Sequence, residues 1–166
     1  TCLDSSHISI SGTSMATPHV AAAFALIHQY FKLTENKVVM PNETQRYLND
    51  SGKLIVDTGG NNLQYSRINI FAALLSLDTQ DPVINIAFSN PANNSSTTNS
   101  YIYVNMTSNE VLLRALLEIN DTNNTMNGSG LNWHINKTGL TNGTYAYKVY
   151  GIDFAGNTGI SDARIA

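Results

Sequence analysis

Cysteine is almost missing. Cys2 stands alone among 166 residues, so no disulfide closes within the chain. Cys2 either pairs with a cysteine elsewhere or stays a buried thiol, and cysteine therefore does not set the redox compartment. Charge is also scarce: Asp, Glu, Lys and Arg make up 13%, against about 25% in ordinary soluble domains. The formal net charge is −3 with nine Lys and Arg, which excludes the clustered basic surface that nucleic-acid binding needs. Apolar runs of about 18 residues are absent, so no segment of this chain is read as a membrane span. The first residues lack a charged stretch followed by a long apolar one, and no signal peptide is read there.

Asparagine supplies the polarity that charge does not. There are 21 Asn, 15 of them in the last 86 residues. Ten lie in N-x-S/T sequons: Asn42, Asn49, Asn93, Asn94, Asn105, Asn120, Asn123, Asn127, Asn136 and Asn142. Any one of these is most simply a turn residue, because Asn tolerates left-handed backbone and bonds its own turn. Their density favours an exported protein, since such acceptors matter only on exposed loops of exported chains.

Patterning divides the chain into residues 1–78, a linker at 79–82, and residues 83–166. The first part reads as helical and mixed. Ser14 to Phe31 is apolar or small on all sides, which predicts a helix buried on every face. His7 to Ser11 alternates loosely as a short strand. A second helix starts at Pro41, a favoured first-turn residue, and ends near Asn49, before Ser51-Gly52. Residues 53–66 read as loop around Gly59-Gly60-Asn61-Asn62. Asn69 is a plausible cap for a third helix, with Ile70, Ala73, Leu74 and Leu77 at i, i+3, i+4 and i+7. The last part reads as six or seven short strands: Val83–Phe88, Tyr101–Met106, Leu112–Ile119, Leu131–Ile135, Tyr145–Ile152 and a closing stretch to Ala166. Turns at Asn127-Gly128, Asn142-Gly143 and Gly156-Asn157 separate them, the pattern of an antiparallel sandwich.

The stretch that carries chemistry is Gly12-Thr13-Ser14-Met15-Ala16-Thr17-Pro18-His19-Val20-Ala21-Ala22. A serine at the start of a helix sits beside free N–H groups and partial positive charge. Both favour the negative charge that develops beside the serine oxygen in acyl transfer. Gly12 admits a substrate carbonyl or another backbone, and Met15 and Ala16 pack the first turn. Pro18 removes the N–H that would bond the Ser14 carbonyl.

This stretch resembles the nucleophile motif of the subtilisin-like serine proteases, G-T-S-M-A-x-P-H-V-A-G. It agrees at ten of eleven positions, counting the free one, and departs at Ala22, where the family usually has Gly. A weaker resemblance continues through Tyr65-Ser66-Arg67-Ile68-Asn69 and the helix after it, covering about residues 5 to 78. The resemblance implies Ser14 as nucleophile, with its backbone N–H in the oxyanion hole. Gly12, Thr13, Met15, Ala16, Pro18 and His19 support the motif. The triad order in this family is Asp, His, Ser, so the other two members are expected upstream and the chain is read as a carboxyl-terminal part of a longer protein. His19 is the structural histidine of the motif rather than the base, His7 lacks the setting of the family's base, and His28 and His134 read as single residues without partners. An α/β-hydrolase elbow fits poorly, because Ala16 replaces its last Gly and the only later histidine beyond the helices is His134.

The last part resembles bacterial and archaeal immunoglobulin-like modules, on Leu140-Thr141-Asn142-Gly143-Thr144-Tyr145 and Tyr150-Gly151-Ile152-Asp153-Phe154-Ala155-Gly156-Asn157. The expected fold is therefore an α/β subtilisin-like fragment, a mostly helical remainder, joined to an all-β immunoglobulin-like antiparallel sandwich. The expected function is a secreted or cell-surface serine endopeptidase acting on protein or peptide substrates, with cell-surface attachment left open and the 166 residues inactive alone. The competing reading is a surface adhesion protein with a degenerate protease part. No cofactor is certain from the sequence. Structural calcium stays open for the parent enzyme, and the turns at Asp57 and Asp153 read as simple loops rather than metal sites.

Overall fold

The computed structural model describes residues 11–166. The expectations for Cys2 and His7, and the strand read from His7, lie outside the described residues. The chain divides into two compact units between Leu77 and Asp78.

In the first unit α1 runs Thr13–Thr34, α2 Pro41–Asp50 and α3 Ile70–Leu77. Each helix has a local cause. Pro41 opens α2, and the Glu43 carboxylate accepts the backbone N–H of Met40 at 3.1 Å, closing an otherwise open donor. Asn69 Oδ1 accepts the Ala72 N–H at 3.1 Å at the start of α3. The helices enclose Ala23, Ile27 and Phe31 from α1, Val39, Leu48 from α2 and Ala73 from α3. Phe31 meets Tyr47 with ring centroids 5.6 Å apart.

Two expectations fail in this unit. Of α1 only Ala23, Ile27 and Phe31 are buried, and every residue from 11 to 22 is exposed. The other helices of the unit contribute to the core only around the carboxyl half of α1, so an apolar circumference did not translate into burial on every face. Residues 53–66 are not a loop. β1 (Lys53–Val56) and β2 (Gln64–Arg67) form an antiparallel hairpin, with Lys53 opposite Arg67 and Val56 opposite Gln64. The Gly59 to Asn62 turn lies between them, and all of β1 is exposed, so it shows no alternation from which a strand is read.

The second unit holds nine strands in two antiparallel sheets. One sheet contains β3 (Ile84–Asn90), β4 (Tyr101–Ser108), β8 (Asn132–Thr138) and β7 (Asn127–Ser129), in that order. The other orders β10 (Thr158–Ile160), β9 (Ala146–Asp153), β5 (Leu112–Ile119) and β6 (Thr122–Thr125), with β11 (Arg164–Ile165) also pairing β9. Alternation dictates the layers. Ile102, Val104 and Met106 on β4 point into one core with Leu117 on β5 and Val149 on β9, while their neighbours in sequence are not buried. The two sheets thus enclose one apolar cluster, an arrangement that fits a β-sandwich. Two short strands escaped the sequence reading. β6 and β7 are Asn, Thr, Gly and Ser, and the expected Asn127-Gly128 turn is instead strand, paired to His134 and Trp133.

Candidate functional site

Ser14 is the second residue of α1, behind an N-cap Gly12 at φ 155° and ψ 166°. That φ is one L side chains rarely adopt, although a Cβ there would meet only Met15 Sδ at 3.8 Å. Glycine is therefore required by the backbone angle and not by crowding. The first helical bonds run from the Met15 and Ala16 N–H groups to the Gly12 carbonyl, at 3.1 and 3.3 Å. The N–H groups of Thr13 and Ser14 lie ahead of that ladder, at the positive end of a 22-residue helix. Pro18 lies inside the helix, so the Ser14 carbonyl has no donor four residues on. Thr17 Oγ1 donates instead to the Thr13 carbonyl at 3.1 Å.

Ser14 is exposed. His19 is not bonded to it: its Nδ1 lies 2.7 Å from the Met15 carbonyl. A carbonyl accepts only, so Nδ1 carries the proton in that bond and the ring is tied to its own helix. His28 was read as partnerless and is not. Its Nε2 lies 3.3 Å from Thr44 Oγ1, and Thr44, fully buried, lies within 3.3 Å of the Met40 carbonyl through the same oxygen. The contact ties α1 to α2. His134 also has a neighbour, the Tyr103 ring at 6.4 Å and a 30° tilt. Met15, at 39% exposure, leaves the first turn of α1 open rather than packed.

The second unit assembles a group that the sequence reading missed. Carboxylate oxygens of Asp78, Glu110 and Asp153 all lie within 4.8 Å of one another. Asp153 was singled out for its turn, and both of its carboxylate oxygens accept bonds from that turn. Oδ1 accepts the Gly156 and Asn157 N–H groups at 2.7 and 2.9 Å, and Oδ2 accepts Asn157 Nδ2 at 2.9 Å. Burial, then the negative charges of Asp78 and Asp153, push the Glu110 carboxyl above its ordinary value. Only the fold joins these three, since residues 78, 110 and 153 belong to no common motif. On the outer face, Glu118 Oε1 lies 3.1 Å from Lys148 Nζ and Glu118 Oε2 accepts the Tyr150 hydroxyl at 3.0 Å. The Lys148 bond leads the causes that hold the Glu118 carboxyl below its ordinary value.

The comparison with known families agrees with the serine segment. Residues 2–64 match the Subtilase family of peptidases. That match contains all of the Ser14 stretch and supports, in general terms, a protease-type function. No curated protein matches the chain. No helix among the described residues is long and apolar enough to cross a membrane.

Proposed function

We propose that this chain carries the nucleophile of a subtilisin-type serine endopeptidase, with Ser14 attacking the scissile carbonyl to form an acyl-enzyme. The observation that supports this reading is the exposed Ser14 at the amino end of α1, inside the segment that matches the Subtilase family. In the proposed reaction a base takes the Ser14 proton, the oxygen adds to the amide carbon, and the backbone N–H of Ser14 bonds the resulting oxyanion. The proton then passes to the leaving amine, and water releases the acyl group. Among the described residues no imidazole is bonded to Ser14, and by the family order Asp, His, Ser the proposal draws its histidine and aspartate from upstream. Thr13 and Met15 to Pro18 fix the turn that presents the hydroxyl, and His19 holds that turn through the Met15 carbonyl.

The same proposal makes residues 1–78 the carboxyl-terminal part of the peptidase domain and residues 83–166 an immunoglobulin-like sandwich, in a secreted or cell-surface protein. Tyr145 supports the second assignment. It directly precedes β9 and its hydroxyl donates to the Thr141 carbonyl at 2.9 Å, the corner bond found before a late strand of immunoglobulin-type sandwiches.

The test uses the 166-residue chain beside a longer product of the same gene that includes the sequence before Thr1. The short chain should leave a fluorogenic peptide uncut. The longer one should cut it, and Ser14→Ala should lower its kcat/KM by ~10⁴ or more, as expected for loss of a nucleophile. Hydrolysis that survives Ser14→Ala would remove Ser14 from the role. A longer chain with no hydrolysis would favour the competing reading, an adhesion protein built on an inactive protease.

A further inference from the structure

One end of the second unit contains a cavity of about 620 Å³, within the ~300–1,000 Å³ usual for small-ligand sites. Its walls are the 91–102 and 140–145 segments, with Ile165 and Ala166. None of its eighteen lining residues is Asp, Glu, Lys, Arg or His, and ten are Ser, Thr or Asn. From this lining we infer that the cavity is a binding site for a short neutral oligosaccharide, a role separate from peptide hydrolysis.

The chemistry of the walls selects the ligand class. Phosphates and carboxylates are held best by cationic side chains, and metal ions by carboxylate and imidazole side chains; apart from the α-carboxylate that Ala166 carries in the 166-residue chain, the lining has none of these. A sugar presents many hydroxyls, each donor and acceptor, around small apolar C–H faces. Amides and hydroxyls match the first, and Tyr101, Tyr145, Ile102 and Leu140 in the same lining match the second. Tyr101 has capacity in hand. Its hydroxyl oxygen accepts Asn90 Nδ2 at 3.3 Å and Asn99 Nδ2 at 3.4 Å, which leaves its own O–H to donate. The side chains of Asn94, Thr98, Asn142 and Thr144 make no bond to another described residue, so a ligand does not have to break protein contacts to use them.

The walls are also held in place before any ligand arrives, which lowers the ordering cost of binding. The Asn94 N–H bonds the Ile165 carbonyl at 2.8 Å, the Leu140 N–H bonds the Ser100 carbonyl at 3.0 Å, and Tyr145 and Ala166 exchange backbone bonds at 2.8 and 3.0 Å. Asn94 and Asn142 are themselves sequon residues, so a sugar attached to either one is a second source of the same chemistry.

The 166-residue chain, made ¹⁵N-labelled in a host that attaches no N-glycans, is titrated by NMR with maltotriose, cellotriose, chitotriose and mannotriose, and with a neutral Asn-Ser-Thr hexapeptide. At least one trisaccharide should give saturable shifts confined to residues 91–102, 140–145 and 165–166. Asn142→Ala with Thr144→Ala should weaken it roughly tenfold, as loss of about two hydrogen bonds predicts, with the rest of the spectrum unchanged. Absence of shifts with all four sugars up to ~10 mM, far above the range of a useful site, overturns the inference. So do shifts elsewhere, or tighter binding of the hexapeptide in the same cavity. If the chain from a glycosylating host carries sugar on Asn94 or Asn142 and shows the same residues already shifted, the attached glycan is the occupant.

Discussion

Tyr147→Phe should make the second unit more stable. Tyr147 lies on β9, is 2% exposed, and belongs to the core with Leu117, Ile119 and Val149. Its hydroxyl is the one buried side-chain polar atom of the described residues without a hydrogen-bond partner. In the unfolded chain water satisfies that group; in the core nothing does. The penalty for such an orphan is about 1–3 kcal/mol. Phenylalanine keeps the ring and its apolar contacts, and the space left by one oxygen returns only a few tenths of a kcal/mol at ~24 cal/mol per Å³. The net gain is therefore about 1 kcal/mol, or ~4–8 °C in Tm for a domain of this size. Trp133 is the only tryptophan and lies in the same core at 8% exposure, so its fluorescence follows the unfolding of this unit alone. Urea and thermal melts of both chains give the difference directly. A variant less stable than the parent by more than about 0.5 kcal/mol would refute the reasoning, because the hydroxyl would then be bonded, for instance to a buried water.

The carboxyl of Glu110 is raised from 4.5 by burial and by Asp78 and Asp153. Between the ordinary and the raised value the folded unit holds a proton that the unfolded chain has released, so stability falls as pH rises through that window. Glu110→Gln should lift Tm at pH 7 and have little effect below pH 4; an equal effect at both would contradict the electrostatic cause. Glu118 has the opposite sign. Its carboxyl is held down chiefly by Lys148, so its contribution is present above the ordinary value and lost as pH falls through the lowered one, and Glu118→Gln should destabilise at pH 7 but not in strong acid, read by the same melts. Gly159→Ala should destabilise by about 1–3 kcal/mol, because the new Cβ would fall on the Pro82 carbonyl, and unchanged urea midpoints would show that the β10 edge has room to move.

The helices were legible because their causes are local. Pro41 and Asn69 mark starts by their own chemistry, and Ile70, Ala73, Leu74 and Leu77 repeat on one face. The core strands were legible for a similar reason. Ile102, Val104 and Met106 alternate with polar neighbours, and period two is the signature of a half-buried strand. β6 and β7 carry no such signal. Their Asn and Gly residues are depleted in strands and neither segment has an apolar face, and Asn123↔Glu118 and Asn127↔His134 show what makes them strands: pairing to β5 and β8. The β1–β2 hairpin was misread because Leu54, Ile55 and Val56 form an apolar run whose members are all exposed. No pattern of burial existed for the sequence to encode.

The same distinction separates the serine from the rest of the candidate chemistry. Ser14 was visible because a helix start, a glycine cap and an interior proline fit within seven residues, and each acts on its immediate neighbours. The Asp78, Glu110 and Asp153 group brings together residues up to 75 positions apart, which no local spacing announces. The cavity has the same origin, for the 91–102 and 140–145 segments are joined only by bonds such as Leu140 N–H to the Ser100 carbonyl. Within it, the sequon residues Asn94 and Asn142 had two readings in the sequence, turn residues or acceptors on exposed loops. In the fold both line one cavity without charged side chains, and a polar surface without charged side chains discriminates ligands by hydrogen-bond geometry rather than by Coulomb attraction. Binding there should consequently be insensitive to salt, a property that no ion-pairing site on this chain would share.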